Sequence, residues 1–199
     1  MNVAIIVAAG RGVRAGGGRA KQFRELAGAP IIVHTLRRFE QCASVTQTIL
    51  VVPSTEVTSC LSFGDEHDLK KLSRVVAGGE SRTESVWRGL QEVDAATAEA
   101  VAVHDGVRPF VAPAEIDTVV AAALEHGAAI LVAPAFDTIK EVAGGRIVRT
   151  LEREHLRRAL TPQCFRYELL RRAYERALAE EDFDATDDSA LVERLGGAT

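Results

Sequence analysis

The sequence predicts an α/β fold, a mostly parallel sheet with helices packed on both faces. Apolar, β-branched runs recur along the chain with helical patterns between them. Most of those runs are nearly continuous, as strands covered on both sides require, where a half-exposed strand would alternate. Helix-face spacings and a capping-box sequence fill the intervals, and strands alternating with helices argue for a parallel sheet. At 199 residues, 47% hydrophobic and 26% charged, the chain is long enough for one substantial core. Residues 1–199 are therefore expected to form a single domain.

The expected strands are Val3–Ala8, Thr48–Val52, Arg74–Ala77, Ala100–His104 and Ala129–Ala133. Between them, Ile116, Val119, Val120, Ala123 and Leu124 repeat at the spacing of one helix face. Ser81-Arg82-Thr83-Glu84 reads as a capping box, and Val86, Leu90 and Val93 continue that helix. Leu169, Leu170, Ala173, Ala177 and Leu178 mark a later helix. Thr186-Asp187-Asp188 opens the last one, with acids in its first turn.

One segment interrupts the alternation. Phe136–Val142, the turn Ala143-Gly144-Gly145 and Arg146–Leu151 read as a β-hairpin inserted at 135–152. Its Lys140, Glu141, Arg146 and Arg149 are interleaved with apolar residues, so it is amphipathic and has little core of its own. By spacing alone it suits a surface flap as well as an arm gripping a second subunit.

Several function classes are excluded early. No apolar run approaches the roughly 20 residues that span a bilayer. Met1 to Val7 has no basic segment ahead of it and reads as a buried strand, so neither a membrane nor a secretory leader is expected. A net charge of −4 argues against coating nucleic acid. Three distant cysteines, Cys42, Cys60 and Cys164, fit reduced thiols in a cytoplasmic protein. The five histidines show no metal-ligand spacing.

Three stretches carry chemistry. The first is VAAGRGVRAGGGRAKQF, residues 7–23, with five glycines and four cations. Gly10-Arg11-Gly12-Val13-Arg14-Ala15 matches the loose dinucleotide fingerprint, but a run of three glycines follows where that motif needs a helix. Lys21 sits between Ala20 and Gln22, so the Walker pattern is absent as well. The remaining reading is a loop whose backbone N–H groups and cations, Arg14 and Lys21 among them, enclose a polyphosphate.

The second stretch is VHDGVRPF. Asp105-Gly106 is a hairpin-turn signal, but Pro109 and Pro113 weaken it. At the carboxyl end of a buried strand, Asp105 could hold a divalent metal carrying phosphates, and Arg108 could meet a second anion. The third is GGESRTES. Capping accounts for Ser81 and Glu84, which leaves Gly79, Glu80 and Ser85 to face a ligand at a helix N-terminus.

Together with DTIK, LTPQCF and TDDSALVE, these stretches resemble in order the 2-C-methyl-D-erythritol 4-phosphate cytidylyltransferases of isoprenoid precursor synthesis. The resemblance runs from Val3 to about Gly196. It implies a Rossmann-like nucleotidyltransferase fold, with CTP and a small sugar-alcohol phosphate as substrates and Mg²⁺ as the metal. It implies that Arg14 and Lys21 stabilise the transition state, and that Ala8, Ala9 and Gly10 with Gly79, Glu80 and Ser85 hold CTP. Asp105 and Arg108 fall at the metal- and substrate-facing end, and Thr138, Arg153, Thr161 and Thr186 at the methylerythritol-phosphate contacts. The hairpin becomes a homodimerisation arm that completes the neighbour's site.

The sequence departs from the family pattern in two places. Ala20 stands where a proline commonly precedes the loop lysine. The chain also ends at Gly196-Gly197-Ala198-Thr199, where the family pattern goes on to a strand and helix bearing a phosphate-contacting lysine, so those elements are expected to be missing. Two other functions stay open at this point: the same transfer to ribitol 5-phosphate, and a non-catalytic nucleotide-binding homologue.

Overall fold

The computed structural model describes residues 1–10, 20–181 and 185–196. In chain order, β1 (Asn2–Val7) precedes a two-stranded ribbon of β2 (Glu25–Leu26) and β3 (Ala29–Pro30). Next come α1 (Ile31–Glu40), β4 (Gln47–Val52), the one-turn helices α2 (Val57–Cys60) and α3 (Phe63–Glu66), β5 (Leu72–Ala77), α4 (Arg82–Gln91) and β6 (Ala100–Asp105). The second half holds α5 (Pro113–His126), β7 (Ala128–Pro134), β8 (Lys140–Ala143), β9 (Arg146–Thr150), β10 (Arg157–Arg166), α6 (Tyr167–Ala179) and α7 (Asp188–Glu193).

The main sheet has six strands in the order β5-β4-β1-β6-β10-β7. β5, β4, β1 and β6 run parallel, while β10 runs antiparallel to both of its neighbours. The mostly parallel sheet read from the sequence is thus the one observed. Each of the five expected strands is present, with ends shifted by no more than two residues.

Side-chain alternation along β1 explains why helices cover both faces. Ala4 and Ile6 pack with Ile32, Leu36 and Phe39 of α1 and Ile116 and Val120 of α5. Val3 and Ile5 pack on the other side with Val86 and Leu90 of α4 and Leu170 and Tyr174 of α6. Both clusters are drawn from strand residues buried on each face, the condition that the continuous apolar runs foretold.

Two elements had no strong sequence signal. α1 starts directly at Ile31, with Pro30 at its N-cap and no side-chain cap. β10 carries Pro162 in its interior, and its pairing with β7 shifts register between Ala159 and Gln163. Proline cannot donate to a ladder, so a strand reading is suppressed there; the shift is where the sheet accommodates it.

The hairpin at 135–152 is present but begins later than expected, at Lys140 where the sequence suggested Phe136. Gly144 and Gly145 both have positive φ, 56° and 75°, as a two-residue turn between β8 and β9 demands. Every residue of both strands is exposed, and the pair forms a sheet of its own.

Candidate active site

β1 is where the strand order reverses. The chain adds β4 and β5 on one side of it, then returns to place β6 on the other. Open α/β sheets bind ligands outside the carboxyl ends of strands at such a switch point. Here a cleft of about 460 Å³ opens there, lined by Val7 to Gly10, Lys21, Gln22, Gly79 to Arg82, Ser85, Asp105 and Val107.

Its floor is tightly assembled. Ala8 N–H donates to the Val51 carbonyl at 2.7 Å, and Gly106 N–H to that of Val7 at 2.8 Å. A side chain at Gly78 would meet the Ala9 Cβ at 2.2 Å, so glycine is needed for the β5 end to approach the β1 end. The N-terminus of α4 forms one wall, with Ser81 as N-cap accepting from Glu84 N–H at 3.0 Å. The capping box is displaced by one residue, because the Glu84 carboxylate takes the Glu80 N–H at 2.6 Å. That bond is the leading cause holding Glu84 below its ordinary pKa.

Of the sequence-predicted residues, Ala8, Ala9, Gly10, Lys21, Gly79, Glu80, Ser85 and Asp105 all line this cleft. Arg14 lies outside the described residues. At the third stretch the expected residues are also engaged within the chain. Ser85 is buried and its hydroxyl is engaged, donating to Ser81 O at 2.8 Å and accepting from Gly79 N–H at 3.0 Å. The Gly79 and Glu80 N–H groups are thus held by the chain's own side chains, which the linear sequence could not reveal.

Arg108, Thr138, Arg153, Thr161 and Thr186 do not line the cleft. Arg108 reaches back instead, its Nε donating to Asp105 Oδ2 at 2.8 Å. Thr161 is buried beside the same residue and accepts from Asp105 N–H at 3.2 Å. Thr138 and Arg153 are exposed at the base of the hairpin, where Arg153 Nη1 donates to Phe136 O at 3.0 Å. Thr186 is exposed just ahead of α7, whose N-cap is Asp187, accepting from Ala190 N–H at 3.0 Å.

Two cleft residues escaped sequence reading, Gln22 and Arg82. Gln22 is buried, and its amide donates to Ala8 O at 2.7 Å and Gly10 O at 3.0 Å. Arg82 joins two carboxylates, with Nε on Asp105 at 3.4 Å and Nη2 on Asp188 at 2.8 Å. Asp188 is fully buried and also accepts from Tyr174 Oη at 2.5 Å, so Arg82 supplies the charge that a buried carboxylate needs. Arg82 had looked like the interior of a capping box, and its partner lies 106 residues away.

Burial alone would raise the Asp105 carboxyl. The Arg82 charge, then the Arg108 hydrogen bond and charge, outweigh it and keep Asp105 ionised below its ordinary pKa. Among the described residues, no three His, Cys, Asp or Glu side chains converge on one point. Mg²⁺ in nucleotide sites is usually held by one or two carboxylates, with phosphate oxygens and waters completing the shell. Asp105 lines the cleft as one such carboxylate, so the cleft fits a metal arriving with a nucleotide.

The family model of IspD, 2-C-methyl-D-erythritol 4-phosphate cytidylyltransferase, matches residues 2–199. The chain belongs to this family. Cytidylyltransferases of that name from Acidobacterium capsulatum and Bacillus velezensis are 43% and 42% identical to it, covering 96% and 98% of this chain and 84% and 83% of their own. Among solved structures, the 4-diphosphocytidyl-2C-methyl-D-erythritol synthase of Anaerococcus prevotii superposes with a TM-score of 0.85 at 28% identity, over 98% of this chain and 82% of that one. The Thermus thermophilus cytidylyltransferase gives 0.75 at 30% identity, over 100% of this chain and 86% of its own. These relatives carry methylerythritol in their names, so the ribitol alternative is not favoured. IspD proteins are transferases of the nucleotidyltransferase class, and no helix among the described residues is long and apolar enough to cross a membrane.

Proposed function

We propose that this chain transfers the cytidylyl group of CTP to 2-C-methyl-D-erythritol 4-phosphate, releasing pyrophosphate. The observation that carries the reading is the convergence of Ala8 to Gly10, Lys21, the α4 N-terminus and Asp105 on one cleft at the switch point. An oxygen of the substrate phosphate attacks the α-phosphorus of CTP. The new phosphorus–oxygen bond forms as the bond to the β-phosphate bridge breaks, and pyrophosphate carries away the electron pair. The attacking phosphate is already ionised near neutral pH, so no strong base is needed.

Catalysis then rests on holding two anions together and neutralising charge as it develops. Lys21 is exposed at the cleft wall and forms no ion pair among the described residues, which suits a cation reserved for ligand phosphates. We assign it, with Arg14, to the transition state. Ala8, Ala9 and Gly10, with Gly79 and Glu80, are assigned to the nucleotide, and Ser85 supports that wall. Asp105 would hold Mg²⁺, which supplies charge neutralisation on the triphosphate. Arg108, Thr138, Arg153, Thr161 and Thr186 are assigned to the substrate phosphate and polyol. The exposed hairpin supports homodimerisation through the arm, and three separated thiols support a cytoplasmic location.

Purified protein with CTP, Mg²⁺ and methylerythritol phosphate should release pyrophosphate; no release would defeat the assignment. Lys21→Ala should lower turnover by about 100- to 1,000-fold with an unchanged melting temperature. Unchanged turnover would remove Lys21 from the mechanism.

A further inference from the structure

We propose that Gln22 is a positioning residue for this transfer, tying the two flanks of the glycine-rich segment together and thereby setting where Lys21 stands. The inference rests on the cytidylyltransferase reading above. Gln22 is 2% exposed yet polar, and both hydrogen bonds it donates go to backbone carbonyls across the cleft floor, Ala8 O at 2.7 Å and Gly10 O at 3.0 Å. One side chain thus joins the exit of β1 to the short helical turn Lys21–Phe23, twelve and fourteen residues apart in sequence.

The turn has no side-chain cap of its own. It is held from beneath by Phe23, which is buried in the core with Ala8 and Ile32. Backbone bonds from Phe23 N to Ala20 O at 3.0 Å and from Ile31 N to Arg24 O at 3.0 Å close it. To this packing Gln22 adds a direct hydrogen-bonded link from the turn to the exit of β1. Lys21 is its immediate neighbour on the cleft wall.

The same bonds orient the backbone. Ala8 is already fixed on one side by its N–H bond to Val51 O. Fixing its carbonyl as well sets the Ala8–Ala9 peptide plane, and in a trans peptide the Ala9 N–H then points away from Gln22. Glutamine suits this place because it offers two amide protons without a charge to bury. Glutamate would set an acceptor against two acceptors, and asparagine would fall one carbon short.

The test is a double-substitution cycle on the intact protein, with kcat and both KM values measured for wild type, Gln22→Met, Lys21→Ala and the pair. Gln22→Met keeps the length and removes both donors. It should lower kcat by about 20-fold or more and leave the methylerythritol phosphate KM within about twofold, yet cost less than about threefold further in the Lys21→Ala background. Wild-type kcat in Gln22→Met, or losses that simply multiply, would overturn the proposal. If Gln22→Met does not fold, Gln22→Asn decides by the same cycle, since it keeps both donors on a shorter stem. CTP titration by calorimetry adds a readout independent of turnover. Gln22→Met should weaken binding by about tenfold, and equal binding counts against the proposal even if the wild type proves inactive and the parent reading falls.

Discussion

The switch-point end of the sheet and the hairpin arm are built from similar residues under opposite conditions. At the switch point, Val7 and Asp105 end strands whose inner residues are buried on both faces, with Ala8 next in the chain, and the backbone leaves little slack at Gly78 or Gly106. On the arm, Val142 faces Ile147 across two strands, but both side chains are more than half exposed. The arm's polar face is better satisfied: Arg149 pairs with Glu141 at 2.5 Å, and Lys140 donates to Thr150 Oγ1 at 2.6 Å. The first region supplies its own rigidity from the core beneath it. The second has apolar surface that none of the described residues covers, and isolated two-stranded hairpins are marginal in water.

The largest expected effect is in the sheet. Ile5 is fully buried in β1, two residues before the cleft begins, and packs beside Gly89 of α4. Ile5→Ala should cost about 2–5 kcal/mol, the lost transfer energy plus a cavity that the parallel strands cannot close. Chemical denaturation would show it as a lower midpoint at unchanged slope. A cost under about 0.5 kcal/mol would mean that the switch-point end is not held by its core.

Next in size is a pH effect on the same region. His104 is fully buried at the end of β6, and its Nε2–H must donate to the Arg108 carbonyl at 3.1 Å, since a carbonyl can only accept. Burial, the largest cause, lowers its pKa to about 4 from 6.5 despite that hydrogen bond and the Asp105 charge, while Arg108 adds a smaller push the same way. Phe39 covers one side at 5.0 Å between ring centroids. Below pH 6.5 the unfolded chain takes up a proton that the folded one refuses, so stability is full above that pH and falls as pH drops toward 4. The loss approaches about 3 kcal/mol. His104→Gln should flatten that part of the stability–pH curve, and an equally steep curve would assign the slope to other groups.

The contrast between the two regions also explains what was legible. Local signals were enough for the parallel strands, for Ser81 capping α4, and for the Gly144-Gly145 turn, because periodicity, caps and positive φ are written within a few residues. Lys21, Asp105 and the glycines of the cleft were readable for the same reason. Arg82 and Gln22 were not, because their meaning lies in partners far along the chain: Asp188, and carbonyls that have no side-chain signature. β10 was hidden by Pro162, and Ser85 looked available because the backbone group it serves, Gly79 N–H, is invisible in a sequence.

The smallest folding effect, and the sharpest for the arm, is expected at Ile147. It is 66% exposed, so Ile147→Asp should change the stability of a single chain by no more than about 0.5 kcal/mol. If a second copy covers the arm, as proposed, the same change buries an unpaired carboxylate in an apolar contact and dissociates the pair. Sedimentation at micromolar protein should then fall from two chains to one. The wild-type melting temperature should rise with concentration, and that of the variant should not, because only an associating native state gains stability by mass action. Ile147→Asp protein that sediments like the wild type would leave the arm a solvent-facing flap.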